Sequence, residues 1–197
     1  DGEGNLYKEI WPLDHRSVPF STSKYLSALQ TNEDENPSVD LIRNFGQEIS
    51  RAAPDSVQAV IEKWMDIDEI ISYAVVDRTI RNDDGAFHWY CDWLSSSSHN
   101  YFWCEEANEA RLHLIPWDID NTFENIRSNV NPVTPIADAW GETRNDCKCF
   151  SVGSLGFQQR SAAYDKLTAG WASYTDKYAA FKDQLIKGPM AKAEVDA

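Results

Sequence analysis

Leu112-His113-Leu114-Ile115-Pro116-Trp117-Asp118-Ile119-Asp120-Asn121-Thr122-Phe123 is the stretch that orders the rest of the chain. Its apolar start, Leu112, Leu114 and Ile115, predicts a strand that delivers two carboxylates to an edge or pocket. On an extended backbone side-chain direction repeats every two residues, so Asp118 and Asp120 are expected to point the same way. Carboxylates held side by side raise one another's pKa, and a bound divalent cation removes that penalty. Mg²⁺ is usually held by one or two carboxylates together with substrate phosphates. The pair is therefore a candidate Mg²⁺–phosphate site. The same residues also make good turn and helix-cap chemistry, because Asp, Asn and Thr side chains hydrogen-bond nearby backbone. The flanking pattern and a second cluster upstream weigh toward the metal.

Upstream, Asn100-Tyr101-Phe102-Trp103-Cys104 reads as a second strand. Residues 100–115 then form a β-hairpin that ends at the Asp-x-Asp. Asn5 to Ile10 alternates as a short strand, and residues 11–38 read mainly as loop. Ser38 is the expected N-cap of a helix whose apolar face is Leu41, Ile42, Phe45 and Ile49. Pro54-Asp55-Ser56 opens a second helix through Trp64. Asp66 and Glu69 have capping-box spacing and start a third, over Glu69 to Arg81, with Ile70, Ile71, Ala74, Val75 and Ile80 buried. Asn82-Asp83-Asp84-Gly85 stops it. Phe87 to Trp93 is ambiguous, Ser95 to Ser98 reads as loop, and residues 124–160 as a long functional or disulfide-tied loop region. Helix returns over Ser161 to Ile186, where Leu167, Trp171, Tyr174, Tyr178 and Phe181 trace one core-packing face.

Composition sets the class. The chain has 197 residues, 42% of them hydrophobic, with eight each of Trp, Tyr and Phe, enough for one folded domain. Its net charge of −14 argues against a broad nucleic-acid or anionic-membrane surface. Nothing approaches the ~18 consecutive apolar residues of a membrane span. Asp1-Gly2-Glu3-Gly4 and Val195-Asp196-Ala197 read as cut ends of a longer protein. Cys91, Cys104, Cys147 and Cys149 lack zinc spacing; they are expected as disulfides or buried thiols, with the pairing open and a lean toward export.

Three elements now stand in order: a helix ending at Asn82-Asp83-Asp84, a strand beginning at His99-Asn100-Tyr101-Phe102-Trp103, and Ile115-Pro116-Trp117-Asp118-Ile119-Asp120-Asn121-Thr122-Phe123. Phosphoryl transfer on a kinase needs an Asp to orient the acceptor hydroxyl, and an Asn and an Asp to hold the metals. Together with Gly4-Asn5-Leu6-Tyr7-Lys8, this series resembles the CotH family of atypical protein kinases, named for a spore coat protein and spread among bacteria. Residues 164–178 are similar to that family's closing helices. The resemblance implies an α+β, protein-kinase-like fold over residues 1–197, a helix-dominated larger lobe whose β-hairpin carries the metal site. It implies use of ATP and Mg²⁺ or Mn²⁺ to phosphorylate serines of a protein substrate. Asp84 would orient the acceptor hydroxyl, with Asp83 its neighbouring rival. Asn100 and Asp118 would bind the metal–nucleotide, with Asp120 a further metal ligand. It also implies a preceding lobe that supplies a phosphate-facing lysine; Lys8 is not expected to replace it. The expected setting is extracellular, cell-surface or spore-associated.

Two other readings fit parts of the chain. A kinase-like scaffold can serve as an exported, non-catalytic binding module. Asp118-x-Asp120-x-Thr122 is also the pattern of haloacid-dehalogenase-type phosphatases, in which the first Asp is the nucleophile. That fold requires alternating strands and helices after the motif. No serine sits in a nucleophile elbow, and Gly153-Ser154-Leu155-Gly156 lacks the Lys of a P-loop.

Overall fold

The hairpin pairs in the register its alternation dictates. The computed structural model describes residues 4–32, 37–82, 84–91, 96–106, 108–120, 122–123, 139–152 and 157–195. Strand β1 (Leu6–Lys8) pairs antiparallel with β4 (Tyr101–Glu106), and β4 with β5 (Arg111–Pro116). Tyr101 lies opposite Pro116 and Glu106 opposite Arg111. Tyr101, Trp103 and Glu105 of β4 and Leu112 and Leu114 of β5 point into the protein.

A second antiparallel sheet runs β3-β2-β7-β6, from β2 (Trp89–Cys91), β3 (Ser96–Ser97), β6 (Phe150–Val152) and β7 (Phe157–Arg160). Here the loop expectation is corrected twice. Ser96 and Ser97 pair with Cys91 and Tyr90, and residues 150–160 supply two strands. Strands this short carry no readable alternation; their partners hold them. A Cys91–Cys149 disulfide ties β2 to the approach to β6, while Cys104 and Cys147 are free thiols.

The helices follow the local signals more closely. They are α1 (Thr22–Leu26), α2 (Asp40–Arg51), α3 (Val57–Trp64), α4 (Ile67–Thr79), α5 (Lys166–Ala172), α6 (Thr175–Lys187) and α7 (Lys192–Val195). Asp66 caps α4 by accepting from the Asp68 and Glu69 amides at 2.8 and 3.2 Å. Helix α1 lies in the expected loop, held by Tyr25, whose buried hydroxyl donates to the Pro12 carbonyl at 2.8 Å. Trp11 is the hub of the core. Its ring meets Trp89, Tyr101, Trp103 and Trp171 edge-on at 5.2 to 5.7 Å, joining both sheets to α5.

The start of α2 differs from expectation. Ser38 is not its N-cap: Val39 is, without a side-chain cap, and among the described residues Ser38 Oγ accepts only from the Asp40 amide. The Ile42 amide donates instead to Glu105 Oε1 at 3.1 Å. Glu105 is buried and also accepts from the Tyr7 hydroxyl at 2.9 Å and from Asn5 Nδ2 at 2.8 Å. Burial raises its pKa, and these three donors partly offset that. Gly4 passes so close that a Cβ there would stand 1.8 Å from the Glu105 carbonyl oxygen. Removing the carboxylate would strand the Tyr7 hydroxyl and the Ile42 amide, while Asn5 Nδ2 keeps the Ser38 carbonyl at 2.7 Å. Glu105→Ala is therefore expected to lower unfolding free energy by about 3 kcal/mol or more, with Glu105→Gln costing less. Urea titration measures this; a loss below about 1 kcal/mol would contradict a structural role for the network.

Candidate functional site

The site is built outward from a buried carboxylate. Ile70, Ala74 and Asp77 share one buried stripe of α4 at helical spacing. Asp77 is 2% exposed, and burial pushes its pKa up to about 7. Its Oδ1 accepts from Asn82 Nδ2 at 2.8 Å, while the Tyr73 hydroxyl lies beside the carboxylate without closing a hydrogen bond. The chain leaves α4 through Arg81 at φ 53°, and the Asp84 amide donates to Asn82 Oδ1 at 3.4 Å. Gly85 is required at this turn: a Cβ would stand 2.4 Å from Asn82 Nδ2 and 2.9 Å from Asp77 Oδ1.

Asn100 then reaches the same loop from the start of β4. Its Nδ2 donates to Asp84 Oδ2 at 2.9 Å, and its backbone amide donates to Glu9 Oε1 at 3.1 Å. Asn100 has φ 57°, a left-handed conformation that Asn tolerates better than most residues. The Trp117 amide donates to the Asn100 carbonyl at 2.9 Å, and the Phe123 amide donates to the Ile80 carbonyl at 3.0 Å. The segment carrying Asp118 and Asp120 is thus pinned at one end to Asn100 and at the other to the C-cap of α4.

This geometry corrects the reading of the Asp-x-Asp as extended. The strand ends at Pro116, Asp118 has φ 49°, and Ile119-Asp120 form a turn. The alternation rule therefore does not orient the two carboxylates. Asp84 and Asn100 are in direct contact, Asp118 follows the residue bonded to Asn100, and Asp120 is exposed in the turn. Asp83 and Asn121 lie outside the described residues, as does Gly153 to Gly156. Trp117 and Phe123, 53% and 64% exposed, give this segment an apolar rim, with Trp117 edge-on to Phe102 at 5.5 Å.

Two participants escape sequence reasoning. Glu9, at φ 51°, anchors the Asn100 backbone and pairs with His99 at 3.8 Å. Asp77 could have been found as an acidic residue on an apolar stripe. No group of three or more His, Cys, Asp or Glu able to hold a metal occurs among the described residues. Asp118, Asp120 and Asn100 carry hard oxygen atoms. They suit Mg²⁺ or Mn²⁺, whose remaining positions are filled by water and phosphate. After the motif, the described residues form an antiparallel pair and then helices, not the alternation a phosphatase of the Asp-x-Asp-x-Thr type needs.

His113 fastens the hairpin to α4. One ring nitrogen lies 2.7 Å from Glu69 Oε2 and the other 3.2 Å from Glu106 Oε2. Glu69 thus completes no capping box; its carboxylate serves β5. Partial burial alone would lower the imidazole pKa, but the hydrogen bond and charge of Glu69, then those of Glu106, outweigh it and raise it. A raised His pKa stabilises the fold fully below about 6.5, and that stability fades as pH rises through the folded value. Asp77 acts in the same direction at lower pH: its raised pKa favours the fold below about 4, and that advantage fades up to about 7. His113→Gln is expected to flatten the decline in melting temperature above about pH 6.5. The effect is about 1 kcal/mol or less, because the pair is partly exposed. Parallel pH profiles in wild type and variant would contradict the role given to His113.

A family model described as CotH kinase protein matches residues 4–192. No curated protein matches the chain.

Proposed function

We propose that this chain, which belongs to the CotH kinase family, transfers the terminal phosphoryl group of ATP to serine hydroxyls of a protein substrate. The observation that carries the reading is the 2.9 Å hydrogen bond from Asn100 to Asp84, with the Trp117 amide on the Asn100 carbonyl. Asp84 and Asn100 meet across 16 residues, and Asp118 follows the Trp117 that bonds to Asn100, which supports the Asp–Asn–Asp order that phosphoryl transfer uses. Such a reaction asks the protein chiefly for positioning and charge stabilisation.

Asp118, Asn100 and Asp120 would hold Mg²⁺ or Mn²⁺. When bound, the metal supplies charge neutralisation for the ATP phosphates. Asp84 keeps its Oδ2 on Asn100 and offers Oδ1 to the serine hydroxyl. It orients that hydroxyl and accepts its proton as the new oxygen–phosphorus bond forms and the bond from the γ-phosphorus to the bridging oxygen breaks, with ADP leaving. Asn82 and Asp77 hold the loop that carries Asp84, and Glu9 holds the backbone of Asn100.

The test is a thermal-shift titration with ATP, with and without Mg²⁺ or Mn²⁺. A ligand that binds only the native state raises the melting temperature. A metal-dependent rise is expected, with phosphate transfer to a serine-bearing protein under the same conditions. A cooperatively folding chain that shows no shift would overturn nucleotide binding by this chain.

A further inference from the structure

The outer face of α2 carries two adjoining open grooves. The first, of about 450 Å³, is lined by Ser21, Thr22, Arg43, Gln47, Ser50 and Arg51 among others. The second, of about 390 Å³, shares Gln47 and Arg51 and continues past Lys63 and Glu48. No acidic side chain lines the first groove, although the chain carries 32 acidic against 18 basic residues. In the second, Glu48 is neutralised by Lys63 at 2.6 Å.

The cations of the first groove are incompletely used. Arg51 is exposed and makes no ion pair or hydrogen bond among the described residues. Arg43 pairs with Asp40 and donates to Thr22 Oγ1 at 3.4 Å, but its buried Nε has no acceptor. The half-buried Gln47 side chain has no partner among the described residues. Arg43, Gln47 and Arg51 recur every four residues and form one line along the helix. The line spans about 12 Å, the reach of roughly four extended residues.

We propose that this groove binds a phosphorylated serine carried in an extended peptide. The phosphoryl dianion has three terminal oxygens, enough for the Arg51 fork, the Gln47 amide and the Thr22 hydroxyl together. A carboxylate has fewer oxygens and half the charge. The open trough lets a chain enter and leave at both ends. Phosphoserine as the source of the phosphate rests on the kinase reading above, because it is that reaction's product class.

The experiment needs no ATP, so its outcome is separable from that of the kinase reading. A Gly-Ala-phosphoserine-Ala-Gly peptide, its unphosphorylated form and inorganic phosphate are each titrated into the intact chain. Affinities come from backbone amide shifts of Gln47 and Arg51. The phosphopeptide is expected to bind about tenfold or more tightly than either control. Arg51→Gln removes that advantage at unchanged melting temperature, while Asp84→Asn leaves it intact. Equal binding of both peptides, indifference to Arg51→Gln, or weakening by Asp84→Asn would overturn the groove assignment. Inorganic phosphate binding as tightly as the phosphopeptide would overturn it too, as an adventitious ion only. Phosphopeptide binding by a chain that fails the ATP thermal-shift test above would leave the groove standing and remove the kinase reading alone.

Discussion

Asp118→Asn is expected to abolish the metal-dependent rise in melting temperature that ATP produces, while leaving the unliganded chain as stable as wild type. The side chain is exposed and makes no hydrogen bond among the described residues, so its removal breaks nothing in the fold. Its backbone conformation decides the choice of substitution. At φ 49° a left-handed residue is strained unless it is Gly, Asn or Asp. Alanine would add a folding cost of about 1 kcal/mol and blur the result; asparagine keeps the turn and removes the charge. Loss of an outer partner of a metal site already weakens affinity roughly 10- to 100-fold, so loss of a direct carboxylate should exceed about 100-fold. Equal nucleotide affinity in wild type and Asp118→Asn would remove Asp118 from the metal site. Asp120→Asn, measured beside it, separates a shared site from a single ligand.

The second large effect concerns Asp84. Asp84→Asn should leave ATP binding within about twofold of wild type and lower turnover by roughly 10²- to 10⁴-fold, the usual contribution of a positioned acid–base group. The asparagine oxygen can still accept from Asn100 Nδ2, so the contact that joins the loop to β4 survives. What disappears is an oxygen able to take the serine proton. Single-turnover rates and ATP affinity must be measured on the same preparation. If binding and turnover fell together, the residue would be holding the site, not acting on the acceptor, and Asp83 would become the candidate to test.

Much of the helical architecture is readable locally. Asp66 caps α4 although Glu69 does not close the box, and the helix ends at Thr79, just before the polar run at Asn82 and two residues short of the expected Arg81. The aromatic stripe at Leu167, Trp171, Tyr174, Tyr178 and Phe181 packs against the core. These features depend on neighbours three or four residues apart, and a sequence displays such neighbours directly. The hairpin is equally legible, because alternation and turn lie within one window. Misses occur where a distant partner supplies the stability. Glu105, not Ser38, satisfies the start of α2 across 63 residues. Ser96 and Ser97 become a strand only because β2 lies beside them.

The sequence by itself determined the family, the α+β class, the hairpin, and an Asp–Asn–Asp series in chain order. Each rests on residue identity and short spacing. Only the tertiary structure decided how those residues meet. It placed Asn100 on Asp84, turned the Asp118 backbone left-handed, and enlisted Asp77 and Glu9 to hold the two loops. The reason is physical. A buried carboxylate or a positive φ is tolerated only when the groups packed around it compensate, and those groups come from remote parts of the chain.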